Sequence, residues 1–200
     1  VSRNLTNEMK KTTLFILILT LLVSCKTKIP YSESMKMELQ NMYLKDQKAQ
    51  EYDLTKVKRK EYSDSMEIEF NKLCQRNLIT IKKYFKTNGF PGIKENGKET
   101  SLHFWLIVQH GDNDVSFQEK VLSAMKKELK FNNVNKQNYA YLYDRVQKNK
   151  NKPQLYGTQM IWDSKGKHFP YKLKFPDKVN ELRAEMDLEP LEEYIKLFNH

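Results

Sequence analysis

Cysteine is scarce in this chain, which has only two among its 200 residues, Cys25 and Cys74. Cys25 lies at the end of an N-terminal leader, so Cys74 is the only thiol left for the folded part of the chain. A lone thiol excludes an intramolecular disulfide there. The fold must therefore be stabilised by the packing of side chains.

The chain also has no apolar run long enough to cross a membrane as a helix. Residues 14–23 are apolar, but they number about ten where a membrane-spanning helix needs roughly twenty. They follow basic residues at 10–11 and end in the sequence LVSC at 22–25, so the segment resembles the signal peptide and lipobox of a bacterial lipoprotein. We therefore predict that Cys25 carries acyl chains such as palmitate. These chains would anchor the protein to a membrane of the cell envelope, facing the periplasm or the cell exterior.

A second domain is not indicated by the composition. The chain is 39% hydrophobic, which at this length suits one core, and no internal repeat is present. We predict three segments. Residues 1–24 are an over-extended start and a signal peptide that is removed, residues 25–34 are the lipidated cysteine and a tether, and residues 35–200 are one helical domain.

Acidic residues are outnumbered by basic ones. The formal charge is +10, and removing residues 1–24 takes away three basic side chains and one acidic one, which leaves +8. Nucleic acid is a common partner of basic proteins. However, the chain lacks an aromatic and basic recognition motif, lysine far outnumbers arginine, and the leader predicts export, so we expect no nucleic-acid partner. The charge either attracts an anionic membrane or envelope polymer, or simply forms a solvated surface.

The apolar residues recur mostly at helical spacing, which predicts a mainly α-helical fold. Helices are predicted to begin near residues 32, 66, 102, 114, 135, 177 and 190, with a loop over 88–99. Residues 158–162 and 168–175 are β-prone and flank a turn. The predicted fold class is therefore a compact helical domain with a small two-stranded β-hairpin near the C-terminus.

Two polar residues interrupt the apolar stripes of the first two helices. Asp46 continues the stripe of the first helix, and Asn77 lies within that of the second. An unpaired buried polar group costs roughly 1–3 kcal/mol, so both are expected to have partners, such as Arg145, His110 or the amides of Gln154 and Gln159. These groups would form either an inert buried network or the floor of a polar pocket. Cys74 shares the face of Asn77 and is expected to be a core cysteine rather than a nucleophile.

The segment 105–118 holds the strongest candidate chemistry, because its apolar run ends in His110, Asp112 and Asp114. An imidazole beside carboxylates can act as a general base or supply metal ligands. Alternatively, His110 only ends its helix and an aspartate caps the next one. The spacing lacks the glycine and distal glutamate of a calcium-binding EF-hand. We predict neither a metal site nor a cofactor.

The peptide 153–159 is the most unusual in the chain. Its two glutamines, tyrosine and threonine around Gly157 offer hydrogen-bond donors and acceptors but no nucleophile beside a base, which suits a polar ligand such as a sugar or a peptide. Alternatively, it is a structural crossover into the hairpin. Asp144 and Arg145 precede it and lie off the apolar stripe of their helix, which by itself indicates solvated surface.

Seven blocks of residues, in order over roughly residues 39–197, give the chain a resemblance to a bacterial family, the domain of unknown function 6624. The blocks are Asp46-Gln47, Asn77, 89–91, 109–114, 141–145, 153–159, and Arg183 with Pro190-Leu191 and Tyr194. The chain departs from the family at Phe90, Gln50 and Asp187, where the family has Trp, Arg and Gly, and the missing arginine puts in doubt a salt bridge from the first helix. The resemblance brings Asp144 and Arg145 into the candidate site but implies no reaction.

These patterns favour a bacterial envelope lipoprotein with a polar pocket that binds a ligand or partner. The residues predicted to bind are Asp46, Asn77, Asp114, Arg145, Gln154, Tyr156 and Gln159. The alternative is a hydrolase-like or metal-assisted enzyme, in which His110 is the general base and Asp112, Asp114 or Asp144 orients it or binds metal. In this interpretation Arg145 and Gln159 hold the substrate. A lipoprotein that serves only as a scaffold is the third interpretation.

Overall fold

The computed structural model describes residues 29–51, 53, 55–56 and 60–199, so the predicted signal peptide and Cys25 lie outside the described residues. The described part contains eight α-helices and one two-stranded antiparallel sheet. The prediction of a mainly helical fold with a small hairpin near the C-terminus is confirmed. The elements are α1 (Glu33–Lys48), α2 (Lys60–Asn88), α3 (Ile93–Asn96), α4 (Lys98–Gln109), α5 (Val115–Leu129), α6 (Lys136–Asn149), β1 (Met160–Trp162), β2 (His168–Pro170), α7 (Val179–Glu185) and α8 (Leu191–Lys196).

Three helices begin at polar side chains that accept a hydrogen bond from the first turn. Ser32 caps α1, Asp114 caps α5 by accepting from the Phe117 amide at 2.9 Å, and Asn135 caps α6. Each such cap satisfies one of the amides that a helix start leaves unpaired and contributes about 1 kcal/mol. The local sequence therefore determines where these three helices start.

Helix α4 lies at the centre of the fold. Phe104, Ile107 and Val108 are almost fully buried, and the helix packs against α1, α2, α5 and α6. This matches the run of apolar residues on every side of the predicted helix. The C-terminal end of α4 carries Gln109 and His110 to the place where α1 and the start of α5 meet it.

Helix α2 begins at Lys60, six residues before the predicted start at Met66. Its first turns are mostly exposed, so they have no apolar stripe by which to recognise them, and they extend the packed half of the helix cooperatively. In the described residues, neither α2 nor any other helix combines the length and apolar character needed to cross a membrane.

Helix α3 lies within the segment that the sequence predicted to be a loop. Asn133, distant in sequence, stabilises its start: its carbonyl accepts from the Ile93 amide at 3.0 Å and its side chain accepts from the Lys94 amide at 2.6 Å. A short helix whose first turn depends on a tertiary contact has no local sequence signal, which explains the wrong prediction.

The C-terminal part folds back on α6. Strands β1 and β2 pair with Ile161 opposite Phe169 and Trp162 opposite His168, and Pro170 ends the pairing. The strands are shorter than predicted because proline cannot donate to the ladder. Residues 153–159 lead from α6 into β1, and α7 and α8 cover this segment with a small cluster of buried apolar side chains, Val179, Leu191 and Tyr194.

Candidate functional site

A carboxylate and an imidazole meet where the ends of α1 and α4 come together. The Nδ1 of His110 lies 3.0 Å and 2.8 Å from the two carboxylate oxygens of Asp46. Asp46 is the polar residue that continues the apolar stripe of α1, and it is only 1% exposed. The structure thus gives Asp46 the partner that its burial required.

Two glutamines at the C-terminal end of α1, Gln47 in the helix and Gln50 just after it, complete the surroundings of Asp46. Gln50 donates to one carboxylate oxygen at 2.9 Å and Gln47 donates to the same oxygen at 3.2 Å. A buried carboxylate is costly unless it is paired and hydrogen-bonded, and these donors meet that condition. Gln50 is the residue that stands where the domain-of-unknown-function family has arginine, and it supplies one of these hydrogen bonds.

His110 is held in one orientation with its second nitrogen available. Its Nδ1 faces Asp46, its ring makes an edge contact with Phe70, and its side chain is 14% exposed. No described residue hydrogen-bonds its Nε2. An imidazole that donates Nδ1–H to a carboxylate keeps its proton off Nε2 in the neutral form, which is the arrangement of a general base.

Asp112 points to a different partner, although it lies two residues after His110. Arg145 donates to both of its carboxylate oxygens, at 2.8 Å and 2.6 Å, and Asn149 and Gln118 donate to one of them at 2.8 Å and 3.2 Å. Burial by itself raises the pKa of Asp112. Arg145 and the two side-chain amides lower this pKa by more than burial raises it, so the net shift is downward. Asp112 therefore joins the start of α5 to α6, and Asp46, not Asp112, contacts His110.

Asp114 stabilises the start of α5 and links it to α2. Besides capping α5, it pairs with Lys82 on α2. The hydrogen bonds from Lys82 and from the Phe117 amide lower the pKa of Asp114. Of the two aspartates that the sequence proposed as caps, Asp114 is the one that caps.

Asp144 is fully buried on α6 and binds the segment that follows its helix. It accepts hydrogen bonds from the amides of Leu155, Tyr156 and Thr158 and from the Thr158 hydroxyl, at 2.8–3.2 Å. Burial raises the pKa of Asp144, and these four donors oppose that rise. The structure thus places Asp144 as an anchor of residues 153–159, and the expectation that it lies on solvated surface is wrong.

Two more predicted ligand-binding residues are buried inside that segment. The side-chain amide of Gln154 donates to the backbone carbonyls of Gln159 and Tyr171, and its oxygen accepts from the backbone N–H of Gln159, all at 2.8–2.9 Å. Tyr156 packs edge-on against Tyr143, and its carbonyl accepts from the buried Arg183 at 2.7 Å. These contacts give Gln154 and Tyr156 structural roles in the connection from α6 to β1.

Gln159 and Arg145 lie on a cleft of about 320 Å³ between α4, α6, the hairpin and α8. Besides them, the cleft is lined by the amide of Gln109, the hydroxyl of Thr158 and several aromatic side chains. The other lining residues are Gln109, Tyr141, Thr158, Met160, Trp162, His168, Tyr194 and Phe198. The cleft therefore combines hydrogen-bonding groups with aromatic walls.

Two residues that line this cleft each have a buried side-chain atom with no hydrogen-bond partner among the described residues: the amide oxygen of Gln109 and Nδ1 of His168. Most buried polar atoms in folded proteins are paired, so exceptions in a cleft point to a ligand or a solvent molecule that pairs with them. Neither residue was among the predicted site residues. Gln109 precedes His110 in the sequence, and His168 faces Trp162 across the hairpin, but only the fold brings the two to one cleft.

Asn77 and Cys74 complete the predicted polar positions of α2. Both are buried, and Nδ2 of Asn77 has no partner among the described residues, contrary to expectation. Burial raises the pKa of the Cys74 thiol to about 12, which leaves it protonated at neutral pH. Cys74 is therefore a core residue and not an activated nucleophile. In the described part of the chain, no group of three or more His, Cys, Asp or Glu side chains is placed to hold a metal ion.

Comparison with known proteins places the chain in a family. The model of a family of unknown function, DUF6624, matches residues 34–200. No curated protein and no solved structure matches the chain.

Proposed function

Since this chain belongs to DUF6624, a family of unknown function, we propose its role from its own residues: it is a lipoprotein of the bacterial envelope whose helical domain binds a small polar ligand. The lipobox sequence at 22–25 supports the anchor. The ligand site is the cleft between α4, α6 and the hairpin. In this proposal the protein faces the periplasm or the cell exterior.

The observation that carries the ligand proposal is the lining of the cleft. Gln109, Arg145 and Gln159 come from three separate stretches of sequence and lie on one concave surface together with exposed aromatic rings. Concave sites with a few converging polar groups and apolar walls are the usual form of small-ligand sites. The volume of about 320 Å³ is at the lower end of the range for such sites, about 300–1,000 Å³.

A thermal-unfolding screen of the full chain, in detergent, against sugars, peptides, small anions and divalent metals tests this proposal. A ligand at about a hundred times its Kd adds roughly 2.7 kcal/mol of stability. We expect one class to raise the melting temperature, and the rise to be lost in Gln159→Leu but kept in Gln75→Leu, an exposed glutamine on α2 outside the cleft. A rise that persists in Gln159→Leu, or no rise with any class, would contradict the proposal.

The second candidate function is general-base hydrolysis at His110, and the Asp46–His110 pair favours it. In many hydrolases a carboxylate orients a histidine ring so that its free Nε2 can remove a proton from water or a hydroxyl group. The proposed base is His110, and Asp46 positions it.

Hydrolysis of p-nitrophenyl esters by the full chain tests the second candidate. We expect His110→Gln to lower the rate by about a hundredfold or more, the usual contribution of a general base. His103→Gln is the matched control, because His103 is also a histidine of α4 but stacks on Tyr43. Equal rates in the wild type and His110→Gln would exclude the base role for these substrates.

A further inference from the structure

The cleft has aromatic walls that include an unusually open tryptophan. Trp162 is 69% exposed, and its ring contacts His168 at a centroid distance of 5.9 Å. His168 in turn contacts Phe198 at 5.6 Å. A large aromatic face left open beside a concave site offers apolar contact area to whatever binds there.

The polar lining of the cleft is nearly free of net charge. Its one arginine, Arg145, is already paired through two hydrogen bonds with Asp112, and none of the described lining residues is a carboxylate. An anionic ligand would have to compete with Asp112 for Arg145, and a cationic ligand would find no anion in the lining. The cleft therefore favours an uncharged ligand.

The remaining polar groups require a ligand that donates hydrogen bonds. The Gln109 oxygen is a buried acceptor without a partner among the described residues, so it needs a donor. The Gln159 side chain donates to Thr158 at 3.3 Å, which leaves its amide oxygen as a second acceptor at the cleft. Hydroxyl groups supply donors and acceptors at once.

We propose that the cleft binds an uncharged sugar unit, with one face of the pyranose ring against Trp162 and its hydroxyls bonded to Gln109 and Gln159. A pyranose combines an apolar face of C–H groups with a rim of hydroxyls, which is the combination that this lining matches. This inference rests on the proposed ligand-binding function and names the class of ligand for that same cleft.

Tryptophan fluorescence of the full chain reports directly on the cleft. The chain has only two tryptophans, and Trp105 is 7% exposed in the core, so a ligand at the cleft changes the emission of Trp162. The titrants are maltose and N,N′-diacetylchitobiose, with citrate and an alanine dipeptide as charged comparisons. The detergent must lack a sugar headgroup. We expect a saturable change with at least one disaccharide.

Variants separate stacking from hydrogen bonding, with the Kd measured by calorimetry because some variants remove the fluorescent reporter. Trp162→Phe keeps an aromatic face and should bind within about threefold of the wild type, whereas Trp162→Ala should bind at least tenfold more weakly. Gln109→Leu should weaken binding about tenfold, the value of one hydrogen bond to an uncharged partner. Gln75→Leu should leave the Kd unchanged.

The outcomes distinguish this inference from the function on which it rests. If citrate or the dipeptide binds in a manner that depends on Trp162 and the disaccharides do not, the sugar assignment is overturned and the ligand-binding function stands. If a disaccharide binds equally well to the wild type, Trp162→Ala and Gln109→Leu, the site lies elsewhere and the inference fails. If no titrant shows binding that depends on the cleft, the sugar assignment is overturned, and the ligand-binding function falls with it when the thermal-unfolding screen also gives no response.

Discussion

At the residue scale, the Asp46–His110 pair is the part of the molecule most suited to proton transfer. The pair joins residues 64 positions apart in sequence, and the carboxylate is almost completely buried while the imidazole is not. Burial of one partner fixes the geometry, and partial exposure of the other leaves it accessible. This division between a positioning group and a reacting group is what a general base requires.

Asp46→Asn tests the positioning role without removing the side-chain volume. An asparagine amide facing Nδ1 of His110 would donate rather than accept, so the neutral imidazole should shift its proton to Nε2. We expect ¹⁵N chemical shifts of the His110 ring to report this change of tautomer, and any hydrolytic activity to fall as far as in His110→Gln. An unchanged tautomer in Asp46→Asn would mean that Asp46 does not orient the ring.

Asp112 gives a prediction for pH. Its pKa is lowered in the folded state, so the ionised carboxylate contributes stability above the ordinary value of about 3.9, and this contribution is lost as the pH falls through the lower folded pKa. Asp112→Asn should therefore be less stable than the wild type at pH 7, with the difference shrinking below about pH 4. Urea unfolding between pH 3 and 7 measures this. The exposed Asp64→Asn is the control, and a pH-independent difference would contradict the prediction.

At the element scale, the segment 153–159 has no helix or extended strand, yet side-chain hydrogen bonds pair several of its backbone groups. Asp144 satisfies three of its amides, and the Gln154 side chain links the two ends of the segment to each other and to Tyr171, the residue that follows β2. Buried backbone groups outside helices and sheets need such side-chain partners. The segment in turn positions Thr158 and Gln159 at the cleft, so the cleft depends on Asp144 although Asp144 does not line it.

Asp144→Ala should therefore loosen this one element. Removing the carboxylate leaves several buried donors unpaired at about 1–3 kcal/mol each, so we expect a loss of at least about 3 kcal/mol in the free energy of unfolding. Hydrogen exchange should accelerate at Leu155, Tyr156 and Thr158 and stay slow in the core of α4. Uniform acceleration across both regions, or none at residues 155–158, would show that Asp144 does not anchor the segment.

At the scale of the whole molecule, the proposed lipid anchor would place the cleft at the surface of a membrane. A thioether-linked diacyl chain with an additional acyl group holds a protein on a membrane, because each buried methylene contributes about 0.8 kcal/mol. We expect the chain expressed in bacteria to partition into the detergent phase of Triton X-114, and Cys25→Ser to move to the aqueous phase. Cys74→Ala is the control for loss of a thiol, and a Cys25→Ser protein that still partitions into detergent would refute the lipid anchor.

The sequence alone determined the helical class, the position of the hairpin, the helix starts at Ser32 and Asn135, and the burial of Asp46. It left open whether Asp112 or Asp114 caps α5. Apolar periodicity and capping are local properties that a sequence displays directly. Only the tertiary structure decided which polar residues meet: His110 with Asp46 rather than Asp112, Asp144 with residues 155–158, and Gln109 with His168 and Trp162 at one cleft. The physical reason is that burial predicts the need for a partner, whereas the packing of distant helices chooses it.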